Sequence, residues 1–305
     1  MHNYNQNILN KFIGTGVALV TPFREDDSID FSGLEKLIEH VISGGVEYLV
    51  SMGTTGESST LSEEERFSIL DFTVKIANKR VPVVGGFGGN NTAEIIRSIK
   101  KYTAGKTSEN NMEAILIASP YYNKPSQEGI YHHYIEIDKN ASLPIILYNV
   151  PGRTSSNMEA ETTLRITKDT NNVIAIKEAS GNFMQCMKII RDAPKQFLVI
   201  SGDDPITLPF IATGMKGVIS VVANVLPKPF TEMVRLSLNQ DFIAANKLHL
   251  DLLNFTELIF KEGSPAGVKA ALKQIGICGE KVRLPLFKVS DELQSKIGRE
   301  LRIDN

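Results

Sequence analysis

The sequence predicts an α/β protein, a single (β/α)8 barrel followed by a C-terminal helical appendage. Short apolar runs rich in β-branched residues alternate with longer amphipathic stretches along the chain, the rhythm of repeated βα units. Eight such runs occur, and that number favours closure into a barrel over an open doubly wound sheet. The 305 residues hold one barrel of roughly 250 residues with some chain to spare.

The expected strands are residues 16–20, 48–51, 81–85, 114–117, 144–148, 173–177, 198–202 and 217–221. Helix-length segments lie between them. The one opening at Ser62 has Glu65 three residues on, the spacing of a capping box, just before the apolar face of Phe67, Ile69 and Leu70. Residues 105–111 are rich in turn formers and predict a loop before the fourth strand. After the eighth strand, a helix over 226–238 closes the barrel, so residues 1–238 read as the catalytic barrel. Helices over 242–260, 264–275 and onward from Asp291 make residues 239–305 the extension.

Apolar residues form 42% of the chain and charged residues 22%, so a sizeable core is expected. The 33 basic and 35 acidic residues are well mixed, with a net charge of -2. Such a balance offers no basic face to nucleic acid or an anionic membrane, and an acidic small molecule needs a local positive site instead. Cys186 and Cys278 lie far apart without a CxxC spacing, which suggests neither a disulfide framework nor a zinc knuckle. The opening segment lacks the apolar core of a signal peptide, and no run approaches the roughly 18 apolar residues of a membrane span. A cytoplasmic protein is expected.

In a barrel of this kind, catalytic groups project from the C-terminal ends of the strands. Five ends carry polar or aromatic groups: Gly53-Thr54-Thr55-Gly56-Glu57, Pro120-Tyr121-Tyr122-Asn123, Tyr148-Asn149-Val150-Pro151-Gly152-Arg153-Thr154, Lys177-Glu178-Ala179-Ser180 and Ser201-Gly202-Asp203-Asp204. Lys177 is the most telling, because it ends the apolar run Val173-Ile174-Ala175-Ile176 on the same strand face as Ala175. Burial over the barrel core disfavours the ammonium form, and a neutral amine is what attacks a carbonyl to form a Schiff base. A strand-end lysine can also snorkel to solvent, but four other polar strand ends around the same mouth weigh against that. Tyr148 ends the preceding strand within reach of Lys177; a phenol both donates and accepts, which suits a proton shuttle, though a tyrosine can equally bury its ring and leave its hydroxyl at the rim. Thr54 and Thr55 offer hydroxyls and backbone N–H groups to a carboxylate, in a turn where threonines are common anyway. Arg153 can pair bidentately with a second carboxylate or simply lie on the surface after a proline turn.

Other features carry less. Gly85-Gly86-Phe87-Gly88-Gly89-Asn90 follows a strand, but Asn91 stands where a dinucleotide fingerprint needs its third glycine, so a tight βα turn is expected. His132 and His133 point to different sides of a helix, and His132 is expected to pair with Glu136 at i+4 as a surface contact; no metal site is assigned. Neither a Walker motif nor a GxSxG elbow is present.

Three of these segments, Gly53-Thr54-Thr55-Gly56-Glu57, Tyr148 to Thr154 and Ile176-Lys177-Glu178-Ala179, occur in an order that resembles the dihydrodipicolinate synthase and N-acetylneuraminate lyase family of class I aldolases, and the likeness covers nearly the whole chain. The resemblance implies that Lys177 forms a covalent imine with pyruvate and that no other cofactor is needed. It implies that Tyr148 is the central proton donor and acceptor, with Thr54 and Tyr122 completing a hydroxyl relay and Tyr122 reaching into the site of a neighbouring subunit. Thr55 then holds the pyruvate carboxylate, the backbones of Gly202 and Ile219 line the pocket, and Arg153 anchors the second substrate. That substrate is implied to be aspartate semialdehyde, on the diaminopimelate route to lysine, and the protein a homo-oligomer with a dimer as minimal unit and a dimer of dimers above it. Sialic acid lyases of the family lack the arginine of the Tyr-Asn-Val-Pro-x-Arg-Thr pattern, so Arg153 favours the synthase over an aldolase for a sugar acid or sialic acid. A barrel that merely binds a small acid is the other alternative, and it requires no lysine, relay and carboxylate anchor together.

Two departures stand out. The loop around residues 107–112 looks about five residues longer than the resemblance implies, and Ser264-Pro265-Ala266-Gly267-Val268-Lys269 replaces an Asn-Pro-x-x-x-Lys pattern, which touches only a structural contact. Relatives that bind lysine as an allosteric inhibitor do so at a dimer interface, with a segment matching residues 58–66, Ser59 among them, and with residues matching Asn90, Glu94 and Tyr121. Those three match, but Glu63 and Arg66 stand where inhibited enzymes carry histidines. Arg66 would repel the ammonium groups of lysine, so weak or absent inhibition is expected.

Overall fold

A computed structural model describes residues 6–303. Eight parallel strands close in sequence order: β1 (Gly14–Ala18), β2 (Tyr48–Ser51), β3 (Val83–Gly86), β4 (Ala114–Ala118), β5 (Ile145–Asn149), β6 (Val173–Glu178), β7 (Leu198–Ser201) and β8 (Gly217–Ser220). All eight expected runs fall on these strands, displaced by two residues at most. The largest displacements have local causes. β1 begins at Gly14 because its first residues pair with β8, and β3 begins only after Pro82, which has no N–H for the ladder. At the closing seam a Cβ on Gly217, whose φ is +141°, would lie 1.9 Å from the Gly14 carbonyl oxygen, so only glycine lets the last strand meet the first.

The period-two alternation of the strands divides the apolar residues between two cores. Ala18, Val50, Leu116, Ile146, Ala175 and Ile200 fill the barrel interior, while Val17, Leu49, Ile115, Leu147, Ile176 and Val199 face the surrounding helices. Phe12 packs edge-on against Tyr48 at 5.6 Å in the interior cluster. Phe255, Ile259, Val268, Leu272 and Ile297 of the C-terminal helices belong to the same apolar cluster as the strand–helix layer.

The capping box is formed: Ser62 Oγ accepts from Glu65 N–H at 3.1 Å, and Glu65 Oε2 accepts from Ser62 N–H at 2.9 Å. The helix expected over 242–260 is instead two, Phe242–Asp251 and Leu253–Phe260, broken at Leu252. The break redirects the apolar face, so that the second piece buries Phe255, Thr256 and Ile259. The long loop before β4 is held by Asn110 Oδ1, which accepts from Thr107 N–H at 2.8 Å, and by a Lys106–Asp71 ion pair at 2.5 Å. It enters β4 at its N-terminal end, opposite the mouth. No helix among the described residues is long and apolar enough to cross a membrane.

Candidate active site

β5 and β6 run in register, with Tyr148 opposite Lys177 and Asn149 opposite Glu178. The pleat therefore turns Tyr148 and Lys177 inward together and sends Asn149 and Glu178 outward. Lys177 is 5% exposed, and its Nζ lies 4.4 Å from the centroid of the Tyr148 ring. Gly202 makes room for this side chain: a Cβ there would lie 2.8 Å from both Lys177 Cε and Ala179 Cβ. Ile219 is buried in the interior cluster.

The outward pair forms a network that the sequence reading passed over. Glu178 is fully buried without an ion-pair partner among the described residues. Its carboxylate accepts from Asn149 Nδ2 at 3.1 Å, from Gln185 Nε2 at 3.0 Å and from Ser180 N–H at 2.8 Å. Asn149 Oδ1 in turn accepts from Met158 N–H at 2.9 Å. The available signal was a polar residue directly after each inward-facing candidate.

At the mouth opens a cavity of about 310 Å³, whose walls include Thr54, Ser59, Arg66, Tyr121, Tyr148 and Arg153. Thr54 and Thr55 share the short 3-10 turn Thr54–Gly56; Thr54 is exposed and Thr55 buried. Arg153 stands on the one-turn helix Pro151–Thr154, exposed, with no ion-pair partner among the described residues. Tyr121 reaches the cavity, whereas Tyr122, at φ +69°, is 86% exposed. A second cavity, of about 210 Å³, adjoins the first at Arg66 and is lined also by Ser58, Glu63, Asn90 and Glu94. The residues of the expected regulatory site are thus divided between two neighbouring cavities, with Arg66 in the wall of both.

One expectation among the surrounding helices is adjusted. His132 pairs with Glu128 at 3.2 Å, one turn earlier, because Glu136 is taken by Asn140 Nδ2 at 3.2 Å and Lys139 at 3.8 Å. His133 is buried with Nδ1 2.8 Å from Thr92 Oγ1, and burial pushes its pKa down to about 4. Asn91 caps the helix Thr92–Thr103 by accepting from Ala93 and Glu94 N–H groups. Beyond β7, burial pushes the Asp204 carboxyl up to about 6, although its Oδ2 accepts from Val221 N–H at 2.9 Å.

A closed (β/α)8 barrel with a buried lysine against a tyrosine at its mouth is the architecture of the class I aldolase type of lyase, and the enzyme is of that class. The chain belongs to the dihydrodipicolinate synthetase family, whose profile matches residues 11–303. The 4-hydroxy-tetrahydrodipicolinate synthase of Flavobacterium psychrophilum is 50% identical over 286 residues, 94% of this chain and 96% of that protein. Among solved structures, the dihydrodipicolinate synthase from Aquifex aeolicus is 37% identical with a TM-score of 0.92, over 96% of this chain and 98% of that one. A protein described as the first monomeric dihydrodipicolinate synthase variant is 35% identical, also with a TM-score of 0.92, over 96% and 97% of the two chains.

Proposed function

We propose that this chain catalyses the 4-hydroxy-tetrahydrodipicolinate synthase reaction, joining pyruvate to L-aspartate 4-semialdehyde through an imine on Lys177. One observation carries the reading: the Lys177 amine is buried against the face of Tyr148, in register across β5 and β6, at a mouth whose cavity is lined by Thr54 and Arg153. The likeness to synthases at 50% identity favours this substrate pair over a sugar acid or sialic acid.

The amine of Lys177 adds to the keto carbon of pyruvate, and loss of water gives the imine. Its protonated nitrogen draws electrons from the adjacent methyl group, which loses a proton to form an enamine. The enamine carbon attacks the aldehyde carbon of the semialdehyde, and the aldehyde oxygen takes up a proton to become the hydroxyl. The amino group of the new chain then attacks the imine carbon, closes the ring and releases Lys177. One water leaves overall, and nothing is oxidised or reduced. Tyr148 is assigned the proton transfers, with Thr54 of its own chain and the partner subunit's Tyr122 completing the relay. Thr55 holds the pyruvate carboxylate, Arg153 the carboxylate of the semialdehyde, and the backbones of Gly202 and Ile219 line the inner wall. The working unit is a homodimer, pairing further into a tetramer.

The test is reductive trapping. Borohydride added with pyruvate should leave one reduced pyruvate adduct per chain, on the peptide bearing Lys177, and Lys177→Ala should abolish it. An undiminished adduct in that variant overturns the assignment.

A further inference from the structure

A second lysine is buried more deeply than Lys177. Lys269, in the helix Ala266–Gln274 of the C-terminal extension, donates to Glu57 Oε1 at 2.5 Å, and both side chains are wholly shielded from solvent. Glu57 is the last residue of the Gly53–Glu57 segment that presents Thr54 and Thr55. It sits between the 3-10 turns Thr54–Gly56 and Ser58–Thr60 at φ +54°, a left-handed backbone that side chains other than glycine and asparagine seldom adopt. Something must hold it there, and its carboxylate supplies the tether. The other oxygen, Oε2, accepts from Arg283 N–H at 3.0 Å, and Lys269 Nζ also donates to the Lys281 carbonyl at 2.7 Å. The Arg283 guanidinium continues the contact along the loop, donating to the Thr60 carbonyl at 3.0 Å and pairing with Glu65 at 2.5 Å. The Phe23 ring packs beneath both cations, 4.3 Å from Lys269 Nζ and 4.5 Å from the guanidinium carbon of Arg283.

A wholly buried ion pair adds little net stability over an apolar pair of the same size, because desolvation offsets its Coulombic gain. What it does impose is geometry, since the carboxylate and the ammonium each tolerate few arrangements once their hydrogen bonds are made. Here the constrained object is the turn that presents Thr54 and Thr55. We propose that Glu57, gripped by Lys269, is a positioning residue for the pyruvate carboxylate, so that the C-terminal helices set the shape of the substrate-holding turn at the barrel mouth. This rests on the reading of Thr54 and Thr55 as part of the pyruvate site. It acts through the turn and touches no reacting atom.

Two variants test it. Glu57→Asp keeps the charge but shortens the tether by one methylene. The double variant Glu57→Gln with Lys269→Met removes both charges, leaves no unpaired ion buried, and should melt within a few degrees of wild type. In both, the KM for pyruvate should rise about tenfold while the KM for the semialdehyde stays within about twofold, and the rate of pyruvate trapping by borohydride should fall in step. If melting temperature drops while the pyruvate KM is unchanged, or both KM values rise together, the pair is a structural staple and the proposal is wrong. Should Glu57→Asp not fold, the double variant decides alone. Wild-type enzyme that traps no pyruvate would refute the underlying site assignment and this inference with it, an outcome distinct from wild-type trapping with unaltered variants.

Discussion

Lys177 and Arg153 are both basic residues at the mouth of the barrel, yet the fold treats them oppositely. The lysine is 5% exposed and packed against the Tyr148 ring; the arginine is exposed, with no ion-pair partner among the described residues. A planar guanidinium lining the cavity suits the bidentate capture of a carboxylate, and removing a charge-assisted pair of that kind costs about 2–4 kcal/mol. Arg153→Ala should therefore depress turnover of the semialdehyde while the pyruvate adduct still forms, a contrast read by steady-state kinetics beside intact mass. Two other buried groups oppose one another in pH. Asp204 is raised to about 6 from an ordinary 3.8, so between those values the native state holds the proton more tightly and stability falls as pH rises. His133 is lowered to about 4 from 6.5, so the unfolded chain takes the proton first and stability falls as pH drops through that window. Each displacement is worth about 3 kcal/mol. Asp204→Asn should make the melting temperature climb more steeply than wild type between pH 4 and pH 6.5, and His133→Gln should make it fall relative to wild type. Melting curves that stay parallel to wild type across that range would show that neither group titrates as its burial requires. The burial of Lys177 was legible in the sequence because it ends an apolar strand, whereas that of Asp204 was not: it stands among the polar residues that follow β7, and only the packed structure shows it shielded.

Strands were more legible than helices, for a physical reason. A buried parallel strand shows as a short β-branched run bounded by turn residues, while the break at Leu252 depends on which neighbours the two helical pieces meet. Lys269 stands in the apolar run Ala266 to Leu272, so its burial is visible, but its pairing with Glu57 was beyond reading because the two are 212 residues apart. The Asn149–Glu178 network sits between these extremes, with its positions visible and its purpose not. It ties the outer edges of β5 and β6 at the register step after Tyr148 and Lys177, so it locks the two inward side chains opposite each other. Glu178→Gln would point an NH2 group at the donors of Asn149, Gln185 and Ser180, leaving at least one buried group unpaired at a cost of about 1–3 kcal/mol. The variant should melt several degrees lower and trap pyruvate more slowly. A melting curve and a trapping rate equal to wild type would mean that the network is slack.

For the whole molecule, the open matter is whether one chain suffices. Thr54, Tyr148 and Lys177 gather at one mouth, whereas Tyr122 is 86% exposed at φ +69°, which leaves its side chain free for the role proposed for it in a partner's site. A monomeric variant exists among the structural neighbours, so dimer formation here has to be tested through function. Consider inactive Tyr122→Phe and Lys177→Arg proteins, mixed in equal amounts, dissociated with mild denaturant and reassembled. In a hybrid dimer, the site on the Tyr122→Phe chain keeps its own Lys177 and receives an intact tyrosine from the Lys177→Arg chain, so it is wild type. The other site carries both lesions and is dead. Random pairing makes about half of the dimers hybrid, each with one working site, so about a quarter of wild-type activity should return. If Tyr122 served its own chain, every hybrid site would hold one lesion and no activity would be regained. Native mass spectrometry separates that result from a simple failure to exchange subunits. Confirmed hybrids without activity would confine the relay to a single chain and remove the chemical reason for a dimer.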